Sequence, residues 1–140
     1  MNSSNITITL PGELRFIRLA SKIASNTASL FTETRKTEAE NWEFAHAFEL
    51  AVSEAFTNAV VHAKKQAAPQ PVTITFTLEE RKLTLAMRDS NVPFSTRTPS
   101  PDPENYPENG YGLLLIRTVM DTVTLTREND TNIITMSKTL

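Results

Sequence analysis

Three groups of residues in this 140-residue chain have the types and spacing to do chemistry. Glu54, Asn58 and His62 stand at i, i+4 and i+8. On a helix that spacing makes one column. The apolar stripe of the same segment is Phe44, Phe48, Ala51, Val52, Ala55 and Ala59. At 100° per residue His62 falls near its middle, Asn58 toward one border and Glu54 about 40° beyond Asn58. Polar groups half inside a core need partners. An aligned carboxylate and amide can find theirs in a ligand, or form an ordinary solvated helix edge.

The second group is Asp89. It ends the row Leu83, Leu85, Met87, which a strand would place on one face. A buried carboxylate is costly unless it accepts hydrogen bonds. Asp89 either closes an Asx-turn on its own backbone or accepts a proton from a ligand amine. In the second case it suits the exocyclic amine of adenine and repels the carbonyl oxygen of guanine. The third group is Asn109-Gly110-Tyr111-Gly112. Glycines opening a helix let backbone amides approach a phosphate, or merely serve a loop-to-helix junction. The chain has no Gly-x-x-x-x-Gly-Lys-Ser/Thr run and no His-Glu-x-x-His run, so a P-loop and a zinc-protease helix are excluded.

The elements that must position these groups are legible from periodicity. Ile6, Ile8 and Leu10 alternate with threonines and stop at Pro11-Gly12, a short strand. Leu14, Ile17, Ala20 and Ile23 give a helix over 13–29, residues 30–41 read as connective, and a long helix runs from about Trp42 to His62. Val72–Leu78 and Leu83–Asp89 alternate as strands around a turn at Glu79–Lys82. Gly112–Met120 reads as a helix, and 122–128 with 132–138 as a final hairpin. This order predicts an α+β fold with an antiparallel or mixed sheet and helices on one face. Five of the eight prolines lie between Pro93 and Pro107, so residues 90–109 read as a long irregular loop. A loop of that length is expected to be either functional or disordered.

Composition narrows the class. The chain is 39% hydrophobic and 21% charged, as one globular domain spanning 1–140 would be. There is no cysteine, hence no disulfide or thiolate metal site. The longest apolar run is four residues, Leu113–Ile116, too short for a membrane span. No signal peptide is read, and a cytoplasmic location is expected. A net charge of −2 argues against direct nucleic-acid binding by bulk electrostatics.

The order Glu54-x-x-x-Asn58-x-x-x-His62, then Asp89-Ser90-Asn91-Val92-Pro93-Phe94, then Gly110-Tyr111-Gly112-Leu113 resembles the N box and the two glycine boxes of GHKL ATPases. More closely, VSEAFTNAVVHA, the Asp-x-x-x-Pro-Phe turn and GYGLLLIRTVMDTV are similar to bacterial anti-sigma factor serine/threonine kinases. The resemblance runs through essentially the whole chain. It implies a two-layer α/β sandwich of the Bergerat type, with a mixed, mostly antiparallel sheet. It implies Mg-ATP as ligand, with Glu54 as catalytic base, Asn58 as the magnesium ligand and Asp89 as the adenine reader. Asn91, Pro93 and Phe94 would line the nucleotide site. Residues 95–109 would form a lid carrying Arg97 toward the γ-phosphate. Gly110, Tyr111, Gly112 and Leu113 would form its hinge and the phosphate-facing helix start. His62 receives no catalytic role.

The implied partners are an anti-sigma-factor antagonist, phosphorylated on serine or threonine, and a sigma factor held by the ATP-bound form. A homodimer built partly from the N-terminal strand region is also implied. One residue departs from the pattern: Asn91 stands where the family usually has glycine. Asparagine tolerates the left-handed conformation, yet its side chain can crowd the adenine slot. A non-catalytic partner-switching regulator is therefore the alternative. A histidine-kinase phosphodonor domain is disfavoured, because no dimerisation helix with an acceptor histidine is read and His46 lies within the N-box helix.

Overall fold

The computed structural model describes residues 3–62, 69–90 and 108–140, with residues 62 and 108–111 as backbone only. Strand β1 (Ser4–Leu10) leads through one 3-10 turn (Leu14–Phe16) into helix α1 (Ile17–Thr32) and helix α2 (Glu38–His62). Strands β2 (Val72–Leu78) and β3 (Lys82–Asp89) follow, then helix α3 (Glu108–Val119) and strands β4 (Thr122–Glu128) and β5 (Thr131–Thr139). The sheet order is β1-β2-β3-β5-β4.

Every described strand pair is antiparallel, the first of the two arrangements that the order of elements allowed. The reason is the number of helices between strands. Two antiparallel helices separate β1 from β2, so the chain returns to the end where β1 stopped, and Leu10 pairs with Val72. The same counting places one pole of the sandwich. β1 and β3 end there, α2 finishes there, and β2 and β5 begin there. Asp89 pairs with Asn132 at that pole.

Strand alternation sorts the sheet into two faces. Val72, Ile74, Phe76, Leu83, Leu85, Met87, Ile134 and Met136 point toward the helices and are buried. The opposite face carries threonines in register, with Thr7 to Thr75 and Thr9 to Thr73 hydroxyl contacts of 3.2 Å each. On the inner side Ala20, Ala24 and Ala28 bring α1 close to α2, which answers with Phe44, Phe48, Val52 and Phe56. The apolar stripe predicted for α2 is buried in full. It is also wider than predicted, because Ala45, Ala47, Phe56 and Val60 are buried too. α2 packs against both α1 and α3.

Where α1 meets α2 both helix boundaries differ from the periodicity. α1 continues to Thr32, whose hydroxyl hydrogen-bonds the Ala28 carbonyl at 3.1 Å and also the Asn41 Oδ1. Residues 30–41 are therefore mostly helix ends rather than connection. α2 starts at Glu38, four residues before the expected Trp42, because Thr37 and Glu40 form a capping box. The Glu40 amide donates to the Thr37 hydroxyl at 3.2 Å, and the Thr37 amide and hydroxyl donate back to Glu40 Oε1 at 3.1 and 2.8 Å. Those bonds from Thr37 hold the Glu40 carboxyl below its usual range. The carboxylate cap is thus intact above the ordinary glutamate pKa and is lost as pH falls through the lowered one.

Gly12 is required by a close approach. A Cβ there would lie 2.2 Å from the Gln70 carbonyl oxygen, closer than any side chain can tolerate. The contact ties the turn after β1 to the segment entering β2, at the same pole as Asp89.

Candidate functional site

Glu54 and Asn58 lie in the C-terminal half of α2, one turn apart and both half-buried. α3 crosses directly over them. A Cβ built on Gly112 would stand 3.0 Å from Glu54 Oε2, 3.2 Å from Asn58 Nδ2 and 3.6 Å from Asn58 Oδ1. The carboxylate and the amide therefore meet the same point of α3, where an added side chain would press on both.

The helix starts earlier than the Gly-x-Gly pair suggested. α3 begins at Glu108, not at Gly112, so both glycines lie inside the helix. The first four amides of a helix lack an acceptor one turn back. In α3 these belong to residues 108–111, which include Gly110 but not Gly112. Gly110 thus lies in the first turn of the helix, the region of a helix that favours an anion, and Gly112 lies where a Cβ would meet Glu54 and Asn58. Leu113, the next residue, is buried.

Asp89 ends the inward row of β3, as its alternation predicts, and is only 4% exposed. Its carboxylate is held across the sheet, where Asn132 Nδ2 donates to Asp89 Oδ1 at 3.1 Å. Asn132 is 1% exposed and in turn accepts at Oδ1 from Arg127 Nη1 at 2.8 Å. Neither Asn132 nor Arg127 stood out in the sequence. The available signal was parity, since Asn132 shares the inward face of β5 with Ile134 and Met136 and so interrupts an apolar row as Asp89 does.

Of the remaining expected site residues, Asn91, Pro93, Phe94 and Arg97 lie outside the described residues, as does most of the lid at 90–109. The side chains of Tyr111 and His62 do too. The Asx-turn reading of Asp89 depends on residue 91 and falls outside them as well. Among the described residues no group of three or more His, Cys, Asp or Glu is placed to hold a metal ion. Two described cavities, of about 360 and 380 Å³, lie at the opposite pole, around Lys36, Glu40, Arg81 and Lys138. There Lys138 donates to the Val119 carbonyl at the end of α3, a structural use. No described helix is long and apolar enough to cross a membrane.

The arrangement at the first pole combines a carboxylate and an amide over a helix start with a buried aspartate at the sheet rim. The family described as histidine kinase-like ATPase domain matches residues 11–138, which takes in every one of these groups. The chain belongs to that family. The residues that resemble the GHKL boxes lie on α2, at the end of β3 and at the start of α3 where the structure describes them. Within the histidine kinase-like ATPase domains, the chain is 41% identical over 83 residues to the serine-protein kinase RsbW of Bacillus mycoides strain KBAB4, covering 53% of this chain and 51% of the relative. To the protein of the same name from Bacillus cereus strain ATCC 10987 it is 40% identical over 83 residues, with the same coverage of 53% and 51%. The match to that of Bacillus thuringiensis strain Al Hakam is 37% over 83 residues, again 53% and 51%. The chain thus spans about half the length of the curated relatives it matches.

Proposed function

We propose that this ATPase-family domain binds Mg-ATP at the pole shared by α2, α3 and the end of β3. There it would transfer the γ-phosphoryl group to a serine or threonine of a small anti-sigma-antagonist protein. In the same reading its ATP-bound form sequesters a sigma factor, acting as a homodimer in the cytoplasm. The observation that carries this is the convergence of Glu54 and Asn58 on Gly112. The serine-protein kinase names of the relatives add to it.

The residues present fit the ligand. Asn58 offers a neutral oxygen of the hard kind that magnesium accepts alongside phosphate oxygens and water. Asp89 is an acceptor held at a fixed angle for the adenine amine. Gly110 lies among the free amides of a helix N-terminus, which favour phosphate. Bound ATP supplies the phosphoryl group, and the protein's share is positioning and charge stabilisation. Glu54 takes the proton of the incoming hydroxyl, and Gly112 fixes how near the α3 backbone comes to it.

Asn91 supports the second reading, a partner-switching regulator that binds its partner without phosphorylating it. Isothermal titration with Mg-ATP, followed by a phosphotransfer assay with the antagonist encoded nearest the gene, separates the two. Binding with transfer is the expected result. Binding without transfer establishes the ATP-responsive regulator, and no binding at all removes the kinase and leaves the nucleotide-free form of the regulator.

Gly112→Ala tests the carrying observation. The new methyl would press on the ends of two flexible side chains, so they yield by a few tenths of an ångström rather than the helix moving. Alanine in place of glycine also raises helix propensity by up to about 1 kcal/mol. Phosphotransfer should fall roughly tenfold through misplacement of the base, while the thermal midpoint holds or rises. Parallel loss of midpoint and transfer would show that Gly112 is needed for folding instead.

A further inference from the structure

Asp89 can read a purine only if its carboxylate plane is fixed, and the fixing group is itself a rotatable amide. Asn132 has an oxygen and a nitrogen of nearly the same shape, and turning the amide over would present its oxygen to the Asp89 carboxylate. Two acceptors would then face each other inside a site that is almost fully buried on both sides, 4% and 1% exposed. Something must forbid that orientation.

Arg127 is placed to do so. A guanidinium carries donors and no acceptor. Its Nη1 lies 2.8 Å from Asn132 Oδ1, so the amide oxygen must face Arg127 and the amide nitrogen must face Asp89, 3.1 Å from its Oδ1. The register makes this line exact in sequence terms. Arg127 is the β4 partner of Asn132, and Asn132 is the β5 partner of Asp89. All three point to the inner face. The two-residue turn after β4, Asn129-Asp130, has positive φ at both positions (49° and 63°), the hairpin geometry that locks β4 to β5 in this register. Asp130 adds a carboxylate 3.7 Å from Arg127 Nη2 but is 99% exposed, so it steers the guanidinium only weakly.

We infer that Arg127 is a positioning residue for purine recognition, acting on Asp89 through Asn132 rather than on the nucleotide itself. The inference rests on the adenine role proposed above for Asp89. It makes the rim of the sheet a three-residue line running Arg127, Asn132, Asp89, with donors pointing one way along its length. The outermost member sets the direction, and the innermost presents a carboxylate at one angle to the base.

The test uses the full chain and the substitution Arg127→Met. Arg127's side chain is about a third exposed, and methionine keeps an apolar stem while removing every donor. Titrations are run with Mg-ATP and with the magnesium complex of purine riboside triphosphate, which has the adenine ring without the exocyclic amine. The expected result is a dissociation constant for ATP raised about fivefold to tenfold, the scale of one hydrogen bond to a charged group made poorly. The constant for purine riboside triphosphate should stay within about twofold, because no amine meets Asp89. A role confined to stability would move both ligands alike and would overturn the inference. In a chain already carrying Asn132→Val, Arg127→Met should add no further loss for ATP. A further loss would show that Arg127 touches the nucleotide directly, which also overturns it. If the unaltered chain binds no ATP, the nucleotide reading itself fails. If it binds ATP and Arg127→Met leaves that affinity unchanged, only the role of Arg127 fails.

Discussion

Glu54→Ala is expected to reduce phosphotransfer to the antagonist by about 10²–10⁴-fold, the range that a positioned general base contributes, while ATP affinity stays within a few-fold. The two halves of this expectation come from different contacts. The Glu54 carboxylate abuts α3 at Gly112, with Oε2 3.0 Å from the place a Cβ would take. Asn58 is one turn farther along α2, and Asp89 stands on the sheet, so neither loses a neighbour that sets its position. Glu54→Gln sharpens the test because it keeps the volume against Gly112 and removes only the basic oxygen. Transfer should fall as far in Gln as in Ala. If affinity and transfer fall together in Ala and both return in Gln, Glu54 is a spacer between two helices and not a base.

Much of this site was legible because its residues break patterns that the rest of the chain keeps. Glu54 and Asn58 stand out against the alanines and phenylalanines of α2, and Asp89 against the leucines of β3. Asn132 breaks the same rule in β5, but it is the first inward residue of a strand rich in polar side chains. Its meaning depends on the pairing of β3 with β5, 43 residues apart. Register at that distance is set by packing of the whole sheet. The start of α2 was hidden for a different reason. Residues 38–41 carry no apolar period, and the capping box Thr37-x-x-Glu40 is a local hydrogen-bond signal that a search for periodicity passes over. At α3 the bias ran the other way. Glycine is a poor helix former, so Gly110 and Gly112 read as the end of a loop. Both lie instead within α3, and at Gly112 a Cβ would press on Glu54 and Asn58 of α2.

Asp89→Asn should weaken ATP binding by about 1–3 kcal/mol, the cost of a buried hydrogen bond left badly paired, which is roughly a fivefold to 150-fold rise in the dissociation constant. The same change should narrow the gap between ATP and GTP. Asn132 gives the direction of the effect. Its Nδ2 donates toward position 89 at 3.1 Å and is held in that orientation by Arg127. An asparagine at 89 must therefore turn its oxygen to Asn132, which leaves its own NH₂ facing the base. A donor then meets the adenine amine, itself a donor, and repels it. The same donor suits the guanine carbonyl oxygen that the native carboxylate rejects. Competition titrations of both nucleotides against a fluorescent ATP analogue measure the two constants together. Should GTP compete as well as ATP in the native protein, or should Asp89→Asn weaken both nucleotides equally, Asp89 is holding β3 to β5 and reads no base. Narrowing of the ATP–GTP gap in Asp89→Asn that disappears when Arg127→Met is added would tie the outer arginine to the choice of purine, since the amide of Asn132 would then be free to turn.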